Sequence, residues 1–350
     1  MTKISVLTTV YNGGEYLAEA IESVLNQTLI NFEFIIIDDA STDNSVEIIQ
    51  SYNDSRIRFF KNEKNIGQLA SLNKGLKLAK GDYIARLDQD DVSLPMRLEE
   101  QYKYLENNQE VTIISSWEHT IDSSGVRVRS WKSSLDNYGI FLGYLLLGLC
   151  PVWHPSVMFR KNDIIKLKGF DTNYGPAEDY ELWSRIALNR MNAAFVPKFH
   201  LLQRVHASNQ SLLQSDKQAD SNRRAHKKLI QYFCADGGVE ALVSLLRLEK
   251  SEFGGVYNKF EVKEVGLKLN ALMANVKDTQ NLSDREYSSL RRKIFRRVGL
   301  GMPYASVLTR LPNVLFYSLF YLLSPLLIPN LRNKLSIFVS FFHRLKNILK

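Results

Sequence analysis

The sequence predicts an α/β protein: a mostly parallel central sheet with helices on both faces, followed by a helical C-terminal region. Three observations predict it. Apolar runs of strand length alternate with segments of helical spacing over the first hundred residues. Polar clusters stand at the ends of those apolar runs, where sheets of this kind bind ligands. Residues 211–298 drop the strand pattern and become rich in Leu, Lys and Glu.

The first strand is Ile4 to Val10, followed by a helix whose Leu17, Ala20, Ile21, Val24 and Leu25 recur at helical spacing. A second apolar run, Phe34 to Ile37, ends at Asp38-Asp39. A helix over about Asp43 to Tyr52, a strand Ile57 to Phe60 and a helix Gln68 to Ala79 come next. The strand Tyr83 to Leu87 then runs into Asp88-Gln89-Asp90-Asp91. Strands separated by helices are βαβ units, which give a parallel sheet. Beyond Pro95 the pattern is mixed: a helix, a strand Val111 to Ser116, an apolar helix around Ile140 to Leu149, a short strand Ser156 to Phe159, a helix Tyr180 to Asn189 and a strand from Phe199. No Pro/Gly-rich linker divides the first 210 residues, so the expected organisation is a body over 1–210, a helical extension over 211–300 and a tail over 301–350.

The chain has 350 residues, 45% hydrophobic and 23% charged, which excludes disordered, collagen-like and disulfide-scaffold classes. Cys150 and Cys234 are the only cysteines, with no spacing of a zinc site, and the N-terminal apolar run is too short for a signal peptide. A cytoplasmic setting is expected. Net charge is +8, but residues 291–350 hold eleven Lys/Arg and no Asp or Glu, which leaves 1–290 at 34 basic against 37 acidic residues, or −3. A slightly acidic body and an apolar basic tail argue against nucleic acid as a partner. Gly13-Gly14 stand without GxGxxG, and no GxxxxGK[ST] is present, so neither a dinucleotide fingerprint nor a P-loop is seen.

Three carboxylates within four residues, Asp88, Asp90 and Asp91, repel one another unless a cation or hydrogen-bond donors offset them. A hard divalent metal shared with phosphates suits the cluster; a solvated turn is the alternative. Asp38-Asp39 would either cap the next helix or accept hydrogen bonds from a nucleotide. Thr8-Thr9-Val10-Tyr11-Asn12 at the end of the first strand offers an aromatic face and polar groups, and Glu178-Asp179 opens a helix whose dipole favours acidic residues.

Five segments in order, ISVLTTVYNGGEYLAEAIESVLNQT, FEFIIIDDASTDNS, NIGQLASLNKGLKLAKGDYIARLDQDD, HPSVMFRK and EDYELWSRI, resemble the family 2 glycosyltransferases over about residues 3–210. The resemblance implies a GT-A fold and an inverting transfer of sugar from a nucleotide donor, most simply UDP-linked, to a hydroxyl of a polysaccharide or lipid-linked glycan. By that resemblance Thr9, Tyr11 and Asp39 hold the base, with Asn12 beside them. Asp88 contacts ribose or metal, and Asp90 is the main protein ligand to Mn²⁺ or Mg²⁺, completed by His206. Arg204 lies on the diphosphate side, and Asp179 is the general base. Glu178, His154 and Trp183 are expected on the acceptor side. One departure is Leu72, where many relatives carry Arg; Arg86 is the expected substitute. A non-catalytic sugar-nucleotide or glycan-binding protein on the same fold is the alternative, disfavoured by the joint presence of Asp88, Asp90 and Asp179.

Between Arg310 and Arg332 lie 21 uncharged residues interrupted by Pro312, Pro325 and Pro329, and beyond them Ile337, Phe338, Phe341, Phe342, Leu345 and Leu349 share a face near Arg344 and Lys346. Prolines and flanking positive charge argue for a segment lying on a membrane surface, with a spanning segment or a helix pair packed on the protein itself or a partner as the alternatives; the expected location is peripheral, on the inner face of the cell membrane.

Overall fold

The computed structural model describes residues 2–135, 137–209, 213–234, 239, 243, 269 and 271–297. Among them, nine strands form one sheet: β1 (Ile4–Val10), β2 (Phe32–Asp38), β3 (Ile57–Lys61), β4 (Tyr83–Arg86), β5 (Val92–Ser93), β6 (Val111–Ile121), β7 (Arg127–Trp131), β8 (Met158–Arg160) and β9 (Asn192–Arg204). The spatial order is β3-β2-β1-β4-β8-β6-β9-β5, with β7 paired to β6. The run β3-β2-β1-β4 is parallel throughout, as the βαβ pattern predicts. β6 and β9 are also parallel, whereas β8, β5 and β7 join antiparallel.

Strand alternation divides the core between the two faces of the sheet. Ile4, Val6, Val10, Phe34 and Ile36 point to one face and pack with Leu17, Ile21 and Val24 of α1 (Leu17–Leu25) and with Leu98 and Leu105 of α4 (Arg97–Asn107). Leu7, Ile35, Ile37 and Ile84 point to the other face, where Leu69, Leu72 and Leu76 of α3 (Gln68–Leu78) meet them. Two-sided burial is why these strands are apolar at nearly every position. The short α2 (Ser45–Ser51) connects β2 to β3.

The second half adds α5 (Tyr138–Leu146), α6 (Lys161–Lys166) and α7 (Glu178–Leu188). α8 (Ser215–Phe233) and α9 (Asp284–Arg297) follow, and their Leu229, Ile230, Phe233, Leu290 and Ile294 are buried in the same cluster as Phe141, Leu145, Leu182 and Trp183. The described part of 211–300 is thus packed onto the body by a shared core.

Two elements differ from the sequence pattern. β9 begins at Asn192 rather than near Phe199, because its pairing with β6 shifts register around Trp117: Val196 faces Ser116 and Phe199 faces Trp117, leaving Pro197-Lys198 in a bulge. Bulges of this kind admit a proline that regular pairing excludes. β7 is not among the expected strands: Val126-Arg127-Val128-Arg129 alternates over too few residues to stand out, and Arg127 to Ser130 are exposed; Asp122 Oδ1 accepts N–H bonds from Ser124 and Val126 and turns the chain into the hairpin, helped by Gly125 at φ 84°. The expected membrane-surface segment over 301–350 lies outside the described residues. Among the described residues no helix is long and apolar enough to cross a membrane.

Candidate active site

The carboxyl ends of β1, β2 and β4 and the end of β9 meet at one edge of the sheet, tied by short polar contacts. Tyr11 N–H donates to Gln89 Oε1 at 2.8 Å, and Gln89 Nε2 returns a bond to Tyr11 O at 3.3 Å. Asn12 N–H donates to Ser41 Oγ at 3.0 Å, and Thr42 N–H donates to Asn12 Oδ1 at 2.8 Å. Asn12 and Ala40 both sit in the left-handed region, at φ 51° and 63°. For Ala this costs about 1 kcal/mol, and such strain collects at functional sites.

Thr9 is buried, while Tyr11 is 42% exposed and presents a free ring at the strand end. Asp39 is buried and accepts from Ile66 N at 2.9 Å, Gly67 N at 2.8 Å and Asn62 Nδ2 at 2.8 Å. Three of roughly four acceptor positions are filled, leaving one for a further donor. Lys74 Nζ donates to Asn62 Oδ1 at 2.7 Å, so a cation stands one residue removed from Asp39. Asn62 and Lys74 were not singled out in the sequence; both lie within or beside the NIGQLASLNKG segment. Leu72 is fully buried in the core.

In the acidic loop each carboxylate has its own environment. Asp88 pairs with Arg86, which is buried beneath it and also donates to Leu87 O and Leu7 O. Arg86 therefore neutralises Asp88 from below and offers no surface to a donor, contrary to its expected role in place of Leu72. Asp90 Oδ2 lies 2.9 Å from His206 Nε2 and accepts from Asn209 Nδ2 at 3.0 Å. Burial and the charge of Asp88 push the Asp90 carboxyl above its ordinary range, partly offset by His206. Asp91 is buried, accepts Arg204 N–H at 2.8 Å, and is pushed well above the ordinary range by burial and then by Asp90 and Asp88.

Arg204 is buried as well. Its guanidinium pairs with Glu19, donates from Nε to Asp90 O at 3.1 Å and from Nη1 to Asp122 O at 3.3 Å, and lies 4.7 Å from the Tyr16 ring centroid. These contacts hold the acidic loop to the β6–β7 turn, and in this structure they direct the guanidinium at the protein's own carbonyls. The Tyr16 ring also lies 4.8 Å from that of His206, whose Nδ1 is 2.9 Å from Ser208 Oγ. Asn209, three residues beyond His206, is a site residue that the sequence reading missed.

Asp90 and His206 are the carboxylate and imidazole that could hold a cation here; among the described residues no group of three or more His, Cys, Asp and Glu is arranged to hold one. A carboxylate with an imidazole, short of a full cage, is the donor set of a divalent ion that keeps waters and substrate phosphates in its shell.

The Glu178–Asp179 corner opens α7. Asp179 is half-buried; its Oδ1 accepts Tyr180 N–H at 2.6 Å and its Oδ2 accepts from Cys150 Sγ at 3.3 Å. Desolvation, then the negative charge of Glu178, pushes Asp179 up to about 6, against the opposing pull of His154. The same surroundings push the Cys150 thiol well above its ordinary value, so it stays protonated and donates. His154 Nδ1 stands 3.5 Å from Glu178 Oε1. Trp183, expected on the acceptor side, is fully buried with its indole N–H donating to Val152 O at 3.1 Å. It supports the loop that carries Cys150 and His154 and shows no face to an incoming molecule.

Residues 5–167 match the family described as glycosyl transferase family 2. The chain is 37% identical over 238 residues, 66% of its length and 81% of the relative's, to an uncharacterised glycosyltransferase of Methanocaldococcus jannaschii. The chain belongs to the family 2 glycosyltransferases. This glycosyltransferase is also 35% identical over 189 residues, 52% of its length and 71% of the other's, to the O-antigen biosynthesis glycosyltransferase WbnJ of Escherichia coli. Its GT-A fold is shared with Staphylococcus aureus TarS, solved with UDP, at a TM-score of 0.53 and 18% identity over 85% of this chain and 88% of that one. The mannosyltransferase PcManGT of Pyrobaculum calidifontis, solved with GDP-Man and Mn²⁺, superposes at 0.51 with 15% identity, over 92% of this chain and 85% of that one.

Proposed function

We propose that this glycosyltransferase moves a sugar from a UDP-linked donor to a hydroxyl of a polysaccharide or lipid-linked glycan, with inversion, and that Asp179 is the base. The observation that carries the reading is a pair of carboxylates in opposite environments, one paired with an imidazole and one desolvated beside a second acid. Asp90 faces a histidine where a diphosphate needs its charge balanced, and Asp179 is desolvated and raised to about 6 where a hydroxyl must lose its proton. The exposed Tyr11 ring and the remaining acceptor position of Asp39 suit a base stacked and hydrogen-bonded at the end of β1 and β2.

In the transfer the acceptor hydroxyl gives its proton to the Asp179 carboxylate as its oxygen forms the new bond to the anomeric carbon. The bond from that carbon to the phosphate oxygen breaks, and its electron pair leaves with the nucleoside diphosphate. Attack from the face opposite the diphosphate inverts the centre. Asp90 and His206 are the residues that would hold Mn²⁺ or Mg²⁺, which when bound supplies charge neutralisation to the departing diphosphate. Arg204, Tyr16 and Asn209 fix the orientation of that pair. The basic, apolar segment over 301–350 would hold the enzyme at the inner face of the membrane, where a lipid-linked acceptor is presented.

A thermal-shift panel of UDP, GDP, dTDP and CMP, each with Mn²⁺ or EDTA, tests the donor side, because a ligand that binds only the folded state raises its melting temperature. A Mn²⁺-dependent shift with UDP that Asp90→Ala removes is expected. No shift with any nucleotide, with or without Mn²⁺, would contradict the reading.

A further inference from the structure

Next to the Glu178–Asp179 corner stands a feature that donor binding leaves unused: an edge-to-face pair of indoles. Trp131, at the end of β7, and Trp153 have ring centroids 5.6 Å apart at an interplanar angle of 84°. Trp131 is half-buried and backed by Phe195 at 6.1 Å, whereas Trp153 keeps 36% of its surface exposed. The loop that carries Trp153 is pinned to α7 on both sides of the ring. On one side Val152 O accepts the Trp183 indole N–H, and Cys150 Sγ bonds Asp179 Oδ2. On the other side His154 Nδ1 faces Glu178.

The carboxylate beside the ring points the same way. Glu178 is half-buried, next to Asp179, with Oε1 3.5 Å from His154 Nδ1. A rigid aromatic face beside a carboxylate suits a ligand that is apolar on one face and rich in hydroxyls at its rim. A pyranose ring meets that description: its C–H face covers an indole while a hydroxyl at its rim is left to the carboxylate.

Building on the transfer reading above, we propose that Trp153, backed by Trp131, is the acceptor platform of this enzyme and stacks a sugar ring of the acceptor beside Glu178. The acceptor is therefore recognised as a saccharide at the position next to the base, and the role expected of Trp183 belongs to Trp153.

The test is isothermal titration of octyl hexopyranosides and octyl N-acetylhexosaminides into the full chain preloaded with UDP and Mn²⁺, with an octyl oligoethylene glycol ether as tail control. At least one glycoside is expected to bind where the tail control does not. Loss of the ring in Trp153→Ala should weaken that binding by about tenfold or more, and Trp153→Phe should recover part of it. UDP affinity in both variants should equal that of the parent, which separates a platform from a merely structural tryptophan. Glycoside binding that is unchanged in Trp153→Ala, or no glycoside binding beyond the tail control while UDP still binds, would overturn the proposal. Failure of the parent chain to bind UDP would instead strike at the transfer reading.

Discussion

A carboxylate works as a base near neutral pH when it is ionised but poorly solvated, and the surroundings of Asp179 match that requirement of its proposed role. Desolvation and Glu178 raise it to about 6, while His154, the Tyr180 N–H and the Cys150 thiol favour its charged form. Transfer should therefore fall off below about pH 6 as Asp179 takes up a proton, which a pH–rate profile reads directly. Glu178→Gln removes a like charge, so the Asp179 carboxyl becomes more acidic and the acid limb moves to lower pH; an unmoved limb would assign it to another group. At this scale the sequence pointed to Asp90 and His206, which the structure brings to 2.9 Å from each other, because both fall in segments whose order and chemistry are distinctive. It carried less about which way a side chain turns. Trp183 stands one helical turn from Asp179, but only packing against Val152 shows that its ring goes inward. Arg86 and Arg204 are cations in the right segments, yet both are buried and spent on the protein's own acceptors.

Among the elements, β1, β2 and β4 were legible because burial on both faces makes a strand apolar at most positions, and the half-buried β3 because its short apolar run stands between two helical segments. β7 and the first half of β9 were not, since β7 alternates over only a few exposed residues and a bulge at Pro197-Lys198 interrupts β9. The docking of α9 on α5 was equally invisible, and it depends on one position. A Cβ at Gly139 would lie 2.1 Å from the carbonyl oxygen of Glu286, a backbone atom with no room to swing aside. Gly139→Ala should thus destabilise the fold by about 1–3 kcal/mol through a forced separation of the two helices. Urea unfolding measures this; an unchanged midpoint would mean the helices do not pack this closely. Trp183→Ala should cost more, about 3–5 kcal/mol, because the lost ring is completely buried and leaves a cavity.

For the molecule as a whole, buried charge sets the response to pH. Glu118 on β6 is 1% exposed, has an unpartnered Oε2 among the described residues, and is pushed up to about 8 by burial. A carboxyl raised in the folded state binds its proton more tightly there than in the unfolded chain. Its contribution to stability is therefore present in acid and is lost as pH rises from its ordinary value near 4.5 through about 8. Glu118→Gln should remove this loss, so that the variant gains on the parent between pH 5 and pH 8 by roughly 1–3 kcal/mol in thermal unfolding. A constant difference across that range would place the titration elsewhere. At the same scale, removal of 301–350 should release the protein from anionic vesicles, and persistent co-sedimentation would put the attachment on the folded body.

The most direct test of the whole account compares Asp179→Asn with the parent in two assays, transfer from UDP-sugar and equilibrium binding of UDP with Mn²⁺. The carboxamide keeps the shape of the corner and removes the proton acceptor. Transfer should fall by about 10²–10⁴-fold while UDP affinity is retained. A variant that transfers sugar at the parent's rate would contradict the account, because the proton of the acceptor hydroxyl would then be leaving by a route that does not involve Asp179.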